Sequence, residues 1–206
     1  MARDTSGSRE RLLDSAVHLF GERGYRGTTV GDIEARAGLS PRAGAFYRHF
    51  ASKEEAFRAA LERWIDDVAA FPRSVGELLP LDDLRSELTV VARGTLQLLE
   101  RQRQLFRFLA RDSAEFPELV AQVHDDLVAR GYGQMMEFVS ARAPQARLSK
   151  DQLRALAAIA LGSLVHYRQD EAVYGHSPAG AKEDAFVRAW VDVWLCWFDH
   201  AGPASG

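Results

Sequence analysis

The sequence is poor in the residues that cross-link small proteins or anchor proteins in membranes. Its 206 residues include one cysteine, Cys196, which excludes an internal disulfide and a zinc site built from cysteine pairs. The most apolar window, residues 155–165, is about half as long as a helix that spans a bilayer. Residues 1–8 contain no apolar run and do not resemble a secretory signal. We therefore expect a cytoplasmic protein that does not enter a membrane.

Motifs of catalysis and metal binding are also missing. The six histidines lack the His-Glu-x-x-His spacing of a zinc site, and the chain has no glycine-rich phosphate loop and no nucleophile elbow. Neighbours such as His124 and Asp125 are interpreted as ordinary polar groups on helix surfaces. The sequence predicts neither an enzyme nor a bound metal or cofactor.

Charge is distributed unevenly along a chain of otherwise average composition. Hydrophobic residues make up 47% and charged residues 27%, which is typical of soluble globular domains. Residues 1–53 carry nine Lys/Arg and six Asp/Glu, a balance of +3, whereas residues 54–206 carry 17 and 23, a balance of −6. The basic N-terminal part is suited to a polyanionic partner. Because 23 of the 26 basic residues are arginine, a general compositional bias is the alternative explanation.

Apolar residues recur at spacings of three and four, and no stretch alternates apolar and polar residues as strands do, so the pattern predicts an all-α fold. A first helix over about 8–23 ends at Gly24, and a short second helix begins at Thr29. A third short helix is expected from Ser40 toward Tyr47. Further helices are predicted over about 52–71, 84–101, 117–139, 150–170 and 182–200.

Three ordered motifs occupy the N-terminal part of the chain: FGERGYRGTTV at 20–30, IEARAGLS at 33–40 and FYRHFASKEE at 46–55. Two short helices around Gly38, braced by a longer first helix, have the dimensions of a helix-turn-helix. Over about residues 9–57 these motifs resemble the TetR family of one-component transcriptional regulators. The resemblance implies a three-helix DNA-binding head and a helical domain for effector binding and dimerisation, and we expect them over 1–53 and 54–206.

The resemblance also implies partners and a mechanism. Members of this family are homodimers that bind a palindromic double-stranded DNA operator, and most of them repress transcription. A small, largely apolar effector that enters the helical domain would release the DNA. The alternative is a small-molecule-binding helical protein or enzyme that keeps the head as a relic.

DNA-contacting residues are carried over from the family by position. Thr28, Thr29 and Tyr47 would hold DNA phosphates, as would Lys53 at the start of the fourth helix. The third helix would face the bases. Arg42 is the preferred base reader because its guanidinium matches guanine O6 and N7, with a phosphate contact as the alternative. The complete expected set is Thr28, Thr29, Ser40, Pro41, Arg42, Ala43, Gly44, Tyr47, Arg48, His49 and Lys53.

One departure from the family pattern affects the base-reading positions. Gly38 and Tyr47 are nine residues apart, where the family usually has seven, so the turn or the third helix is longer here. Two of the expected phosphate contacts also have plainer interpretations. Tyr47 is alternatively an ordinary surface residue, and Lys53 is alternatively a solvated cation. A cation at a helix N-terminus opposes the helix dipole, which favours an external anion near Lys53.

Two further surfaces are predicted in the C-terminal part. An effector pocket is expected between the helix at 54–71 and those covering 84–139, although Met and aromatic residues at helical spacing are more often part of a plain packed core. The expected pocket residues are Trp64, Phe106, Leu109, Phe116, Met135, Met136 and Phe138. Gly131 and Gly133 predict a weakened or kinked helix there.

The last two long helices are expected to form a four-helix bundle with their twins in the dimer, as the family resemblance implies. The alternative is that their apolar faces form an intramolecular core. The expected interface residues are Ala155, Ala158, Ile159, Gly162, Val165, Trp194, Leu195 and Phe198.

Overall fold

The computed structural model describes residues 3–41, 44–76 and 81–201, and within these ranges the chain contains helices and no strand. The all-α prediction is confirmed. No helix in these ranges is long and apolar enough to cross a membrane. The α-helices are α1 (Arg3–Arg23), α2 (Val30–Arg36), α3 (Lys53–Gly76), α4 (Leu84–Arg101), α5 (Arg103–Asp112), α6 (Pro117–Val123), α7 (Ala129–Arg142), α8 (Lys150–Tyr174) and α9 (Glu183–His200).

Local side-chain bonds fix two of the predicted helix starts. Thr29 caps α2: its hydroxyl accepts a hydrogen bond from the Asp32 amide at 3.1 Å, and the Asp32 carboxylate accepts from the Thr29 amide at 2.9 Å. Ser149 and Gln152 form the same reciprocal arrangement at the start of α8. Each such cap satisfies backbone donors that the first helical turn leaves free.

The predicted third short helix is wrong in its extent. Gly44 has a φ of +72°, which a right-handed helix does not allow, and the helical part is a 3-10 turn at Phe46–Arg48. Arg42 and Ala43 lie outside the described residues. Among the described residues between Gly38 and Tyr47, Gly44 is left-handed and only Phe46 is helical.

The weakened or kinked helix predicted at Gly131 and Gly133 is not found at these residues. Helix α7 continues through both glycines, and the irregular segment is a π-helical turn at His124–Val128 between α6 and α7. A π-helical turn carries one extra residue per hydrogen-bonded ring, so it shifts the faces of the helices on either side.

The chain forms two compact units, each of which combines two stretches of sequence. The first contains residues 1–66 and 102–123, and the second contains residues 67–101 and 124–206. Helix α5 thus packs with the N-terminal helices, mainly against α1. The predicted functional boundary after Lys53 stays a prediction.

Aromatic rings fill the core of the first unit. The Phe57 ring lies 4.2 Å from the Phe108 ring and 5.6 Å from the Phe20 ring, measured between centroids. Phe116 extends the cluster to Tyr25, with 4.7 Å between their rings. Each fully buried phenylalanine contributes roughly 1.5–3 kcal/mol of transfer free energy, so this cluster is a main source of stability for the unit.

The core of the second unit lies among α4, α7, α8 and α9. Its polar atoms are paired where rings are buried: the Trp190 indole donates to the Ala160 carbonyl at 3.1 Å, and the Tyr167 hydroxyl donates to the Ala181 carbonyl at 2.9 Å. Pairing of this kind removes the cost of burying a donor without a partner.

A buried ion pair joins α4 to α7 in the second unit. The Glu87 side chain is 4% exposed and accepts a hydrogen bond from the Arg142 guanidinium, while its other oxygen accepts from the Leu81 amide at 2.9 Å. The hydrogen bond from Arg142 is the main reason that the pKa of Glu87 lies below its ordinary value.

Replacing this carboxylate with an amide, Glu87→Gln, should lower the free energy of unfolding by about 1–3 kcal/mol at neutral pH, because Arg142 loses its buried counter-charge. A group whose pKa is lowered by folding stabilises the protein above its unfolded pKa, and this contribution disappears as the pH falls through the folded value. The difference between variant and parent should therefore shrink in acid. Urea unfolding at neutral and acidic pH measures it, with the exposed Glu137→Gln as control. Equal stability of Glu87→Gln and parent at neutral pH would contradict the assignment.

Candidate nucleic-acid interface

The 3-10 turn at Phe46–Arg48 presents a polar surface on an apolar base. Phe46 and Phe50 are buried, and their rings lie 5.4 Å apart. The Phe46 amide donates to the Glu34 carboxylate of α2 at 3.0 Å, which ties the turn to that helix. Tyr47 lies between these anchors and is 62% exposed. The turn therefore holds the Tyr47 side chain at the surface with its backbone fixed from below.

The other residues expected at this surface are distributed as follows. Arg48 is exposed and His49 is half-buried, so both continue the surface of Tyr47. Ser40 and Pro41 are exposed on the other side of the turn, and Gly44 is half-buried. The structure thus brings an arginine and a tyrosine to one short exposed turn, which suits hydrogen bonding to phosphate oxygens.

Thr28 is not available for the expected phosphate contact. Its side chain is buried, and its hydroxyl lies 2.9 Å from the Gly24 carbonyl and 3.1 Å from the Leu19 carbonyl. The hydroxyl therefore closes the turn that follows α1. Sequence position alone could not separate this role from DNA contact, because both need a small hydroxyl residue at the same place.

Thr29 is exposed but already carries out a second task as the N-cap of α2. Its hydroxyl donates to the Asp32 carboxylate at 2.6 Å. Hydrogen bonds from the Thr29 hydroxyl and amide lower the pKa of Asp32. A phosphate at this helix start would have to share Thr29 with an ionised carboxylate, so Thr29 is a poorer candidate than Tyr47.

Lys53 is directed into the protein. Its ammonium group donates to the Tyr25 carbonyl at 2.7 Å and to the Thr28 carbonyl at 2.9 Å, and it lies 4.1 Å from the centre of the Tyr25 ring. Burial lowers the pKa of Lys53. Two of its three donors are thus used inside the protein, and neither the solvated cation nor a dedicated phosphate contact describes this side chain.

The segment 24–28 is also held by the end of α5 and the turn that follows it. The Asp112 carboxylate accepts a hydrogen bond from the Tyr25 amide at 3.3 Å, and Arg26 pairs with Glu115 at 2.8 Å. Burial is the main reason that the pKa of Tyr25 is raised. This segment leads directly into Thr29 and α2, so these contacts set where α2 begins.

The expected pocket residues fall into two groups. Phe106, Leu109 and Phe116 are half-buried in the first unit, whereas Met135, Met136 and Phe138 are buried or half-buried in the second. The Trp64 side chain lies outside what the structure describes. Packing accounts for Phe116 and Met135, and the pocket assignment of the whole set stays a prediction.

The residues expected at the dimer interface differ in exposure. On α8, Ala155, Ala158 and Ile159 are exposed, Ile159 to 63%, and Gly162 and Val165 are half-buried. On α9, Leu195 is half-buried.

Trp194 and Phe198 are 4% and 7% exposed, because they face the core of their own unit, so they cannot supply an external surface. Val193 is 64% exposed and was missed, since apolar residues occupy most of the circumference of α9 and their periodicity does not mark the outward face.

Comparison with known proteins identifies the type of domain at the N-terminus. A sequence model of the family described as bacterial regulatory proteins, tetR family, matches residues 12–60. Residues 12–60 therefore form an N-terminal domain of the TetR type. The match contains the C-terminal part of α1, all of α2, the turn at Phe46–Arg48 and the first residues of α3, which is the region of the sequence motifs.

Curated transcriptional regulators are similar over part of the chain. The transcriptional repressor KstR2 of Rhodococcus jostii is 48% identical over 63 residues, which are 31% of this chain and 30% of the relative. The transcriptional activator FasR of Mycolicibacterium smegmatis is 31% identical over 116 residues, which are 56% of this chain and 51% of the relative. The chain thus spans about a third to a half of the length of these curated relatives.

Solved structures of TetR-family proteins extend the likeness to nearly the whole chain. A transcriptional regulator from Mesorhizobium loti superposes with a TM-score of 0.71 at 18% identity, covering 94% of this chain and 97% of that one. The fatty acid degradation regulator FadR from Bacillus halodurans gives 0.66 at 16% identity, covering 91% and 94%. At these identities the likeness establishes the TetR-like fold and nothing about ligands.

Removing the buried hydroxyl by Thr28→Val should lower the free energy of unfolding by about 1–3 kcal/mol, because the methyl group of valine leaves the two carbonyls without their donor. DNA affinity, measured by fluorescence anisotropy where both proteins are folded, should stay unchanged. Thr89→Val is the matched control, since its hydroxyl bonds only the Arg85 carbonyl of its own helix. Weaker DNA binding at unchanged stability would restore the phosphate contact expected from the sequence.

Proposed function

We propose that this protein is a dimeric, sequence-specific DNA-binding transcriptional regulator, acting as a repressor that a small, largely apolar effector releases from its operator. The observation that carries the proposal is the TetR-family domain at 12–60, whose turn at Phe46–Arg48 holds Tyr47 exposed above two buried phenylalanines. The relatives matched over this head include both repressors and an activator, and repression is the commoner description among them.

Phosphate contacts are assigned to the exposed turn. The Tyr47 hydroxyl and the Arg48 guanidinium can both donate to phosphate oxygens, and Arg48 adds a positive charge. Lys53 contributes through its charge while its donors hold the segment before α2. Arg42, which lies outside the described residues, remains the candidate for reading a base.

A second copy of the chain is the proposed partner of the outer face of α8 and α9. Ile159 and Val193, on two helices of one unit, are each more than 60% exposed, and contact with a second copy would remove their apolar surface from water. A two-fold dimer buries the same patch from both copies. It would also present two heads to DNA, where half-sites on one face of the duplex are about 34 Å apart.

Effector control then follows from populations of two head arrangements. In one of these arrangements the two heads cannot reach successive major grooves. An effector that binds this arrangement more tightly would lower the DNA affinity, and the difference between its affinities for the two arrangements sets the size of the effect. A calorimetric screen in which no compound both binds the protein and releases the operator would count against this part of the proposal.

The central test is selection of binding sites from a randomised duplex library by the purified protein, at low and raised salt. We expect a two-fold symmetric site that remains enriched at raised salt, with affinity falling steeply as salt increases because counterions are released from the DNA. A head that survives only as a relic would enrich no site. Denaturing mass spectrometry of the purified protein would identify a bound effector that prevents enrichment.

A matched pair of variants links this binding to the turn. Tyr47→Phe removes one exposed hydroxyl and should weaken binding about 5- to 10-fold on every sequence, since a phosphate contact carries no base information. Tyr174→Phe removes a hydroxyl from another tyrosine, 67% exposed at the end of α8, and should leave binding unchanged. A change in base preference with Tyr47→Phe would assign Tyr47 to base reading instead.

The dimer is tested by Val193→Asp. Placing a carboxylate in the face that a second copy covers should convert the dimer to monomers in analytical ultracentrifugation, because an unpaired charge is costly to bury. Thermal stability of the monomer should change little, since Val193 is exposed within one chain. The isosteric Val193→Thr serves as control and should remain dimeric. A dimer that tolerates Val193→Asp would place the interface elsewhere.

A further inference from the structure

Gln102 is a buried polar residue that the proposed DNA-binding function does not use. It connects α4 to α5 and stands at the N-cap position of α5, yet its side chain makes no capping hydrogen bond there. The residue is 3% exposed. Neither its amide nitrogen Nε2 nor its oxygen Oε1 has a hydrogen-bond partner among the described residues.

A buried amide without hydrogen-bond partners lowers the stability of the fold unless another group forms hydrogen bonds with it. A carboxamide offers two N–H donors and an acceptor oxygen, and each buried polar atom left without a partner costs free energy that folding does not recover. Buried polar groups in native proteins are almost always hydrogen-bonded, to protein, to water or to a ligand. The unpaired amide of Gln102 therefore marks a place where a further polar group belongs.

The Gln102 amide itself defines the chemistry of that group. Its Nε2 atom donates hydrogen bonds and its Oε1 atom accepts them. The partner of Gln102 must therefore present an acceptor to Nε2 and a donor to Oε1.

We propose that Gln102 binds the polar head of the effector, and that this head is a carboxamide or a protonated carboxylic acid. Either group places a donor beside an acceptor and can form two parallel hydrogen bonds with the Gln102 amide. An ester offers only acceptors and leaves Oε1 unpaired, and an ionised carboxylate does the same. The inference rests on the proposed effector control, to which it adds the chemical class of the ligand.

The first turn of α5 also contacts the DNA-binding head within the same unit. Gln104 packs against Gly21 of α1 so closely that a Cβ atom at Gly21 would lie 2.0 Å from the Gln104 oxygen. That oxygen is buried and has no hydrogen-bond partner among the described residues. Gln102 is two positions before Gln104 in the chain. A ligand held at Gln102 would therefore lie close to the contact between α5 and the end of α1 that carries the first motif.

The proposal is tested by calorimetric titration of the full-length protein, without DNA, with three ten-carbon probes: decanamide, decanoic acid and methyl decanoate. We expect decanamide to bind about tenfold more tightly than methyl decanoate, the difference made by the additional donor. Decanoic acid should resemble decanamide in acid and weaken as the pH rises above the pKa of its carboxyl group. Equal affinities for all three probes, or no binding by any of them, would overturn the proposal.

Two variants assign the preference to one side chain. Gln102→Met keeps the length of the side chain without its polar atoms, and should lose the tenfold preference for decanamide while binding methyl decanoate as before. Gln97→Met, an exposed glutamine on α4, should keep the preference. Decanamide binding that is unchanged in Gln102→Met would show that another residue recognises the head group.

Stability separates ligand recognition from a structural role. If the amide is unpaired in the free protein, Gln102→Met should unfold at the same or a higher urea concentration than the parent. A clear loss of stability would mean that the amide is bonded within the fold, which overturns the proposal. Because these titrations contain no DNA, failure of operator binding and failure of the Gln102 site give distinguishable results.

Discussion

The hydrogen bonds from the Lys53 ammonium group to the Tyr25 and Thr28 carbonyls organise the N-terminal head. They hold the segment that links α1 to α2, and the capping residue Thr29 follows directly. Because Lys53 is also the first residue of α3, its side chain connects α3 to the segment between α1 and α2. The position and orientation of α2 beside the exposed turn at Phe46–Arg48 depend on this connection.

The same segment explains why the first unit is discontinuous in sequence. Asp112 accepts a hydrogen bond from the Tyr25 amide, Glu115 pairs with Arg26, and Phe116 packs on the Tyr25 ring. A DNA-binding head of 53 residues would be small for an independent core. The aromatic residues contributed by α5 and the turn after it enlarge that core, so α5 is in direct contact with the head.

Trp190, Trp194 and Phe198 of α9 are buried in the core of the second unit. Trp190 and Trp194 of α9 face α4 and α8, which leaves the outer face to Val193 and, on α8, to Ile159. An interface of medium-sized aliphatic residues over small residues such as Ala155 and Ala158 allows close helix approach. The proposed dimer would thus rest on shape and apolar area rather than on large aromatic anchors.

The sequence by itself determined the all-α class, the capped starts of α2 and α8, and the N-terminal motifs that match a TetR-type domain, because these depend on residues within a few positions of each other. Only the tertiary structure decided that Thr28 and Lys53 bond inward, that Trp194 is buried while Val193 is exposed, and that the buried Gln102 amide has no hydrogen-bond partner among the described residues. Periodicity tells which residues are apolar or can donate a hydrogen bond. It does not tell which neighbour meets them, since that neighbour comes from a distant part of the chain.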